Sequence, residues 1–162
     1  MTRTCWMVAA VIFILIVSTT NLVHADSNGY FTVTANGPPI TGQLTNSVIH
    51  QSTVTMTMVI DQNLPTKIGT VHIVGNGLWN GSVNNSTLTG TIGNVQGSAQ
   101  ACFLIIFCQT ADFTGTGTWT GTLNDVASGS GTFQGTLTFT GSPFAPSGPV
   151  PISGTWETSF QE

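Results

Sequence analysis

Very few side chains in this sequence are suited to acid–base or nucleophilic chemistry. The titratable candidates are His50, His72 and Lys67, together with a handful of carboxylates. Catalysis needs groups whose protonation can be tuned, and the candidate acids for a glycosidase pair are Asp112 and Glu157. Because the sequence places no second acid beside either one, we interpret both as surface or capping carboxylates. We therefore predict that the protein is not an enzyme.

Motifs for metals, nucleotides and cofactors are missing from the sequence. His50 and His72 do not stand at metal-ligand spacing, and no Cys-His, Ser-His-Asp, phosphate-loop or dinucleotide pattern occurs. We interpret two further acids as turn residues. Asp61 precedes a predicted turn, Gln62-Asn63-Leu64-Pro65, and Asp125 lies at a predicted hairpin tip. We expect no cofactor and no bound metal.

The charge inventory narrows the range of partners. From Asp26 onward, Lys67 is the only base against six acids, which gives a net charge of −5 for residues 26–162. Neutralising phosphates requires clustered Lys and Arg. We therefore predict that the protein binds neither nucleic acid nor an anionic membrane surface, and that hydroxyls, amides and glycans keep it soluble.

The N-terminal segment is typical of a secretory signal peptide. Arg3 precedes an apolar run of about a dozen residues, and the small-residue pattern Val23-His24-Ala25 predicts cleavage before Asp26. The alternative is a retained membrane anchor, which needs roughly 20 apolar residues. We predict a signal peptide over residues 1–25 and a single all-β domain over 26–162. The expected location is secreted, extracellular or at the cell surface, with no transmembrane helix after cleavage.

Two cysteines remain once Cys5 is removed with the signal peptide. Export to an oxidising compartment favours a disulfide between Cys102 and Cys108. Six residues of straight strand would hold their Cα atoms about 20 Å apart, whereas a bridge requires about 6 Å. A mutual bond therefore requires the segment from Phe103 to Phe107 to fold back; in a straight strand both thiols are free or pair elsewhere.

Strict alternation of residue types predicts β-strands, because successive side chains of a strand point to opposite faces. The clearest run has hydroxyls on one face and apolar residues or glycine on the other. The hydroxyl face comprises Thr114, Thr116, Thr118, Thr120 and Thr122, and the apolar face comprises Phe113, Gly115, Gly117, Trp119, Gly121 and Leu123. Residues 128–141 repeat the plan. Glycine placed regularly beside aromatic residues indicates a strongly curved sheet.

An internal repeat links two parts of the chain. Residues 75–84 align with 115–124 at glycine, tryptophan, aliphatic and asparagine positions, and 152–160 is a looser echo. Two clear copies favour a β-meander over a solenoid. The Gly-Thr-Trp sequence within the repeat is similar to the opening strand of avidins and lipocalins. Here it occurs mid-chain and near the C-terminus, so no residue role is transferred from those families.

We predict an all-β antiparallel meander of about eight or nine strands, forming a closed or strongly curved β-barrel. A two-sheet β-sandwich is the alternative. The hairpin over residues 113–141 is predicted to turn through Asn124-Asp125-Val126, which sets Trp119 opposite Gly131 and Gly117 opposite Phe133. The other predicted strands cover residues 30–35, 40–49, 52–60, 69–83, 86–92 and 101–107. A Pro-rich connector over residues 141–151 is predicted to precede the last strand.

Three groups of residues are candidate interaction sites. Trp79, Trp119 and Trp156 are candidate ligand contacts, either as a sugar-stacking platform or, if they face inward, as the lining of a small apolar cavity. Core packing against glycine is the alternative for these rings. Phe103, Leu104, Ile105, Ile106 and Phe107 form a candidate apolar docking loop, with a loop tucked into the barrel end as its alternative. Asn80, Asn84 and Asn85 are candidate glycosylation sites.

These observations favour a secreted, non-catalytic structural or adhesive protein that assembles with itself or with an extracellular or cell-surface polymer. A β-barrel module that binds a small ligand or carbohydrate is the alternative. Two further hypotheses are an outer-membrane barrel with threonines lining the lumen, and a hydroxyl array that binds ice or a polysaccharide. Because threonine is common on outward strand positions, such rows are also explained by β propensity alone.

Overall fold

The protein is a closed barrel of eight antiparallel strands. The computed structural model describes residues 27–34, 38–67, 69–103, 107–125 and 127–161; the predicted signal peptide lies outside them. Each strand pairs with its neighbours in sequence, and the first strand pairs with the last. The strands are β1 (Ser27–Thr34), β2 (Ile40–His50), β3 (Thr53–Thr66), β4 (Gly69–Asn84), β5 (Thr87–Phe103), β6 (Phe107–Leu123), β7 (Ser128–Thr140) and β8 (Pro149–Ser159). The predicted all-β meander is confirmed, as a closed barrel and not a sandwich.

Strands β3 to β6 are longer than the others and project beyond the barrel at one end. The β2–β3 ladder ends at Gln43 and Val59, whereas β3 and β4 stay paired to Thr66 and Gly69. The predicted turn over residues 62–65 is therefore wrong. Proline is tolerated within a strand where one edge has no ladder partner. Pro65 lies in the part of β3 that is paired with β4 but no longer with β2.

Strand β5 replaces two predicted segments. One strand runs from Thr87 to Phe103, so the predicted separate strand over residues 101–107 is wrong, and the chain reverses after Phe103 instead. A bulge shifts the register between Ile92 and Val95. Because the bulge inserts residues between two inward-facing positions, it hides the period-two pattern that identifies a strand.

The predicted register of the β6–β7 hairpin is wrong by two residues. Trp119 lies opposite Phe133 and Gly117 lies opposite Gly135. The connection is longer than predicted because the Asp125 carboxylate accepts hydrogen bonds from the backbone N–H groups of Ala127 (2.8 Å) and Ser128 (2.7 Å). Two residues is the strand period, so every side chain remains on its predicted face.

The Asp125 loop gives a pH-dependent prediction. Hydrogen bonds from Ala127 and Ser128 lower the pKa of the Asp125 carboxyl below its ordinary value. A lowered folded pKa stabilises the loop above the unfolded pKa of about 3.9, and this contribution is lost as the pH falls through the folded pKa. We expect the amide resonances of Ala127 and Ser128 to shift together on acidification. In Asp125→Asn, which keeps an acceptor oxygen without the charge, these shifts should disappear; their persistence would contradict the assignment.

The barrel has an apolar interior and a hydroxylated exterior. Tryptophan, phenylalanine and aliphatic side chains fill the core, while the threonines of β6 and β7 point outward and are exposed. The arrangement with threonines lining the lumen is not the one observed. Aromatic rings cover glycines of neighbouring strands: a Cβ at Gly81 or Gly90 would collide with Trp119, and one at Gly121 with Trp156.

The last strand, β8, pairs with β7 immediately after a short connection. Residues 141–148 form a return connection, and Thr138 already pairs with Pro149. The predicted long connector before the last strand is therefore shorter than expected. At the other end of the barrel, Phe160 is buried, and the Thr158 hydroxyl donates to the buried Ser47 hydroxyl at 2.8 Å. This polar pair and the C-terminal residues seal that end.

Candidate functional site

The barrel contains an apolar cavity of about 110 Å³. It lies in the half nearest the β1–β2 and β7–β8 connections, because Val33 and Ile40 flank the first connection and Phe139 and Ile152 flank the second. Only apolar surface lines it. Cavities of this character stay dry and accept apolar molecules.

The cavity adjoins a stretch of wall that carries no inward side chain. Gly117 and Gly135 lie directly opposite each other on β6 and β7, and both line the cavity. The nearest atoms to a Cβ built at either position are backbone atoms, with no ring over them. At several other glycines a ring covers the bare backbone; for example, Phe133 lies over Gly154. The cavity therefore adjoins an uncovered glycine pair.

The three candidate tryptophans all lie inside the barrel, but only Trp79 lines the cavity. The Trp79 ring centroid is 5.4 Å from that of Phe133, 6.0 Å from Trp119 and 6.4 Å from Trp156. The sugar-stacking platform is wrong as a surface feature, because all three rings are buried. Their role as ligand contacts stays a prediction, and only Trp79 is placed to fulfil it.

Indole N–H groups distinguish the three rings. Trp156 Nε1 donates to the Thr120 carbonyl at 3.2 Å. In the described part of the chain, Trp79 Nε1 and Trp119 Nε1 are buried and have no hydrogen-bond partner. A buried donor without a partner costs free energy. The Trp156 ring is therefore anchored by a hydrogen bond, whereas the Trp79 and Trp119 rings are held by packing alone.

The residues lining the cavity were not predicted as a set. Aliphatic positions such as Ile60, Ile73, Val95 and Ala99 come from three different strands. The alternation pattern shows that these side chains point inward, and nothing in the sequence distinguishes a lining residue from a filled core position.

The disulfide between Cys102 and Cys108 closes the projecting hairpin. The two cysteines lie directly opposite each other in the β5–β6 ladder, with Cα atoms 4.1 Å apart. This agrees with the prediction that a mutual bond requires the intervening segment to fold back. The bond holds the ends of the two longest strands together at a level where β4 still pairs with β5 but β7 no longer pairs with β6.

Removing the disulfide should loosen this hairpin. For a closed loop of this length the chain-entropy model gives a stabilisation of about 2 kcal/mol. We expect Cys102→Ser/Cys108→Ser to speed hydrogen exchange at the tips of β5 and β6 and to lower the melting temperature. A reducing agent should have the same effect on the parent protein and none on the variant. Equal exchange in both proteins would show that backbone pairing alone holds the tip.

The candidate docking loop is described only at its ends. Residues 104–106 lie outside the described residues, Phe103 is half-buried, and the Phe107 side chain is 56% exposed. Phe144, in the β7–β8 connection at the same end of the barrel, is 76% exposed. This end of the barrel therefore presents two exposed aromatic rings.

The described titratable residues form one close pair, and the two candidate glycosidase acids lie far apart. Asp112 is opposite Thr140 and Glu157 is opposite Ser130, so the two acids are separated by ten residues of β7, about 33 Å. They do not form a carboxylate pair. His72 Nε2 lies 2.9 Å from Asp61 Oδ1 on the exposed face of the β3–β4 hairpin. Among the described residues, no group of three His, Cys, Asp or Glu side chains is placed to hold a metal ion.

The three candidate glycosylation sites are all exposed. Asn80 faces outward in the middle of β4, Asn84 ends that strand, and Asn85 is in the turn to β5 with a φ of 55°. Their use as glycan acceptors stays a prediction.

Hydroxyls form one cross-strand row that includes all eight strands but does not close, because Thr53 pairs with His50 of β2 and not with Thr41. Each strand contributes one exposed or half-exposed side chain, and each is the register partner of the next. In order around the barrel the row is Thr41, Thr32, Thr155, Thr132, Thr120, Thr89, Ser82 and Thr53. The predicted hydroxyl array is therefore present on the outer surface.

The chain thus belongs to the class of closed eight-stranded antiparallel β-barrels, a size at which side chains fill the interior or one small ligand occupies it. Comparison of the chain with protein-family models, with curated proteins and with solved structures gives no match. Across the described residues, no helix has the length and apolar character needed to cross a membrane.

Proposed function

We propose that the protein binds a small apolar molecule, or the apolar end of a longer one, inside the barrel. The observation that carries this proposal is the cavity of about 110 Å³ with its wholly apolar lining. Burial of apolar ligand surface in such a site is favourable by roughly 25 cal/mol per Å². A carbohydrate is a poor occupant, because its hydroxyls would lose water without finding hydrogen-bond partners.

The cavity volume limits the ligand. An engineered cavity of about 150 Å³ lined by aliphatic and aromatic residues binds benzene or xenon, and the cavity of this protein is somewhat smaller. We infer a compact ring or a short branched alkyl group. A longer molecule would leave its remainder among the connections at that end, where Phe107 and Phe144 are exposed.

Thermal unfolding with and without benzene, toluene or xenon tests the proposal. A ligand that binds only the folded state at 100 times its Kd stabilises the protein by about 2.7 kcal/mol. We expect the melting temperature to rise with each probe and to fall back toward the apo value as the ring becomes too bulky. Trp79 lines the cavity, so its fluorescence should change at the same concentrations. No shift with any probe would refute the proposal.

A structural or adhesive role at the cell surface or in an extracellular assembly is the second candidate. It is supported by the exposed rings of Phe107 and Phe144 at one end of the barrel. We expect a self-associating parent protein to become monomeric in Phe107→Ser/Phe144→Ser, as measured by size-exclusion chromatography with light scattering. A monomeric parent at high concentration contradicts self-assembly.

We also propose that the chain is exported and cleaved before Asp26. The disulfide is compatible with an oxidising compartment. Mass spectrometry of the protein from its source should place the new N-terminus at Asp26 and find Cys102 and Cys108 oxidised. A retained Met1 would contradict cleavage.

A further inference from the structure

The outer wall of the barrel carries two adjoining depressions on the opposite side of the wall from the internal cavity, and one of them shares Thr116, Gly117, Gly135 and Ile152 with the cavity lining. They are open to solvent, have volumes of about 710 and 460 Å³, and lie across β1, β6, β7 and β8. Four outward side chains line both: Thr34, Thr118, Gln134 and Ser153. We call the two depressions together the outer trough.

The side chains of the outer trough form a regular grid. Gln134 lies between its register partners Thr118 and Ser153, and Ser153 is in turn opposite Thr34. The row of Thr120, Thr132 and Thr155 runs beside it. Strands are about 4.8 Å apart and side chains on one face of a strand are about 6.7 Å apart, so hydrogen-bonding groups repeat in two directions.

These groups are not used within the barrel. In the part of the chain that the structure describes, none of the grid side chains hydrogen-bonds another protein group. Among the described residues that line the trough, Gln134 is the only amide, and its side chain is exposed. An amide supplies two donors and an acceptor, which makes this residue the richest hydrogen-bonding group of the trough.

The chemistry of the trough selects an uncharged, hydroxyl-rich partner. None of the described residues that line the two depressions is ionisable, so neither polyanions nor polycations gain from binding there. Its outward side chains offer hydroxyl and amide groups and no exposed aromatic ring, so an apolar partner gains little. Each neutral hydrogen bond contributes modestly, and useful affinity therefore requires an extended ligand that repeats the same contact.

We propose that the outer trough binds an uncharged linear polysaccharide, with Gln134 as its central contact. The double variant Gln134→Leu/Thr118→Val removes hydrogen-bonding groups while keeping similar side-chain volumes on an exposed surface. In co-sedimentation with insoluble cellulose and chitin, we expect the parent to bind at least one of the two. The double variant should bind about tenfold more weakly, and salt should have no effect because no ion pair is involved.

The matched control is Gln96→Leu/Thr114→Val, which makes the same exchanges at an exposed register pair outside the trough. It should bind like the parent. Failure of the parent to bind either polysaccharide, binding abolished by salt, or equal losses in both double variants would overturn the proposal. Thermal hysteresis lost in Gln134→Leu/Thr118→Val, without polysaccharide binding, would assign the grid to ice and also overturn it. A variant with a filled cavity should retain polysaccharide binding, which separates this proposal from the internal site.

Discussion

Replacing Trp79 with alanine is expected to lower the free energy of unfolding by about 3–5 kcal/mol. The side chain is fully buried and lies within ring-contact distance of Phe31, Trp119, Phe133 and Trp156. Truncation removes a residue around which four other rings pack, and a rigid barrel wall cannot collapse into the space. Denaturant unfolding followed by circular dichroism measures the change.

Phenylalanine substitutions supply the control for this prediction. Trp79→Phe keeps a ring and removes an N–H that has no partner among the described residues, so it should cost clearly less than alanine. Trp156→Phe also deletes the hydrogen bond to the Thr120 carbonyl and should cost about 1 kcal/mol more than Trp79→Phe. Equal costs for Trp79→Ala and Trp79→Phe would show that the ring contributes little to the core.

The faces of the strands could be predicted from the sequence because they depend on parity alone. Thr118 is exposed and Trp119 buried, as the alternation requires. An error of two residues in the β6–β7 register leaves both assignments unchanged. Glycines on the apolar face favour closure of the barrel, and aromatic rings do lie over glycines in the structure. The glycines that they cover are not the ones that the predicted β6–β7 register places opposite them.

Features that depend on how neighbouring strands pair could not be predicted from the sequence. The β5 bulge near Asn94 breaks the period locally, and Pro65 is acceptable only because the adjacent strand has ended. The Asp125 loop adds residues to a hairpin through hydrogen bonds of its own side chain. Each of these is a tertiary or turn effect that overrides local propensity.

The cavity illustrates the same limit at the level of function. Its uncovered wall exists because Gly117 and Gly135 meet in one register pair, and the predicted register had placed a phenylalanine opposite Gly117. A shift of two residues leaves every strand face unchanged and yet decides which residue lies opposite Gly117 in the cavity wall.

Filling the cavity should abolish apolar ligand binding without unfolding the barrel. Ala99→Phe places a ring into the space beside Ile73 and Phe113, which line the same cavity. Added side-chain volume is destabilising in a full core, but here it enters an existing void. We expect the melting temperature to stay near that of the parent, and benzene affinity to fall by at least about 100-fold. Ala99→Leu, which fills less of the space, should give an intermediate loss.

Ala111 offers a closely matched control. It is the register partner of Ala99 in the β5–β6 ladder and is likewise half-buried on the inward face, but it does not line the cavity. Ala111→Phe adds the same ring one strand away and should leave benzene-induced stabilisation intact. If both variants lose it equally, the effect is a general loosening of the projecting hairpin. If neither does, benzene binds elsewhere and the internal site is refuted.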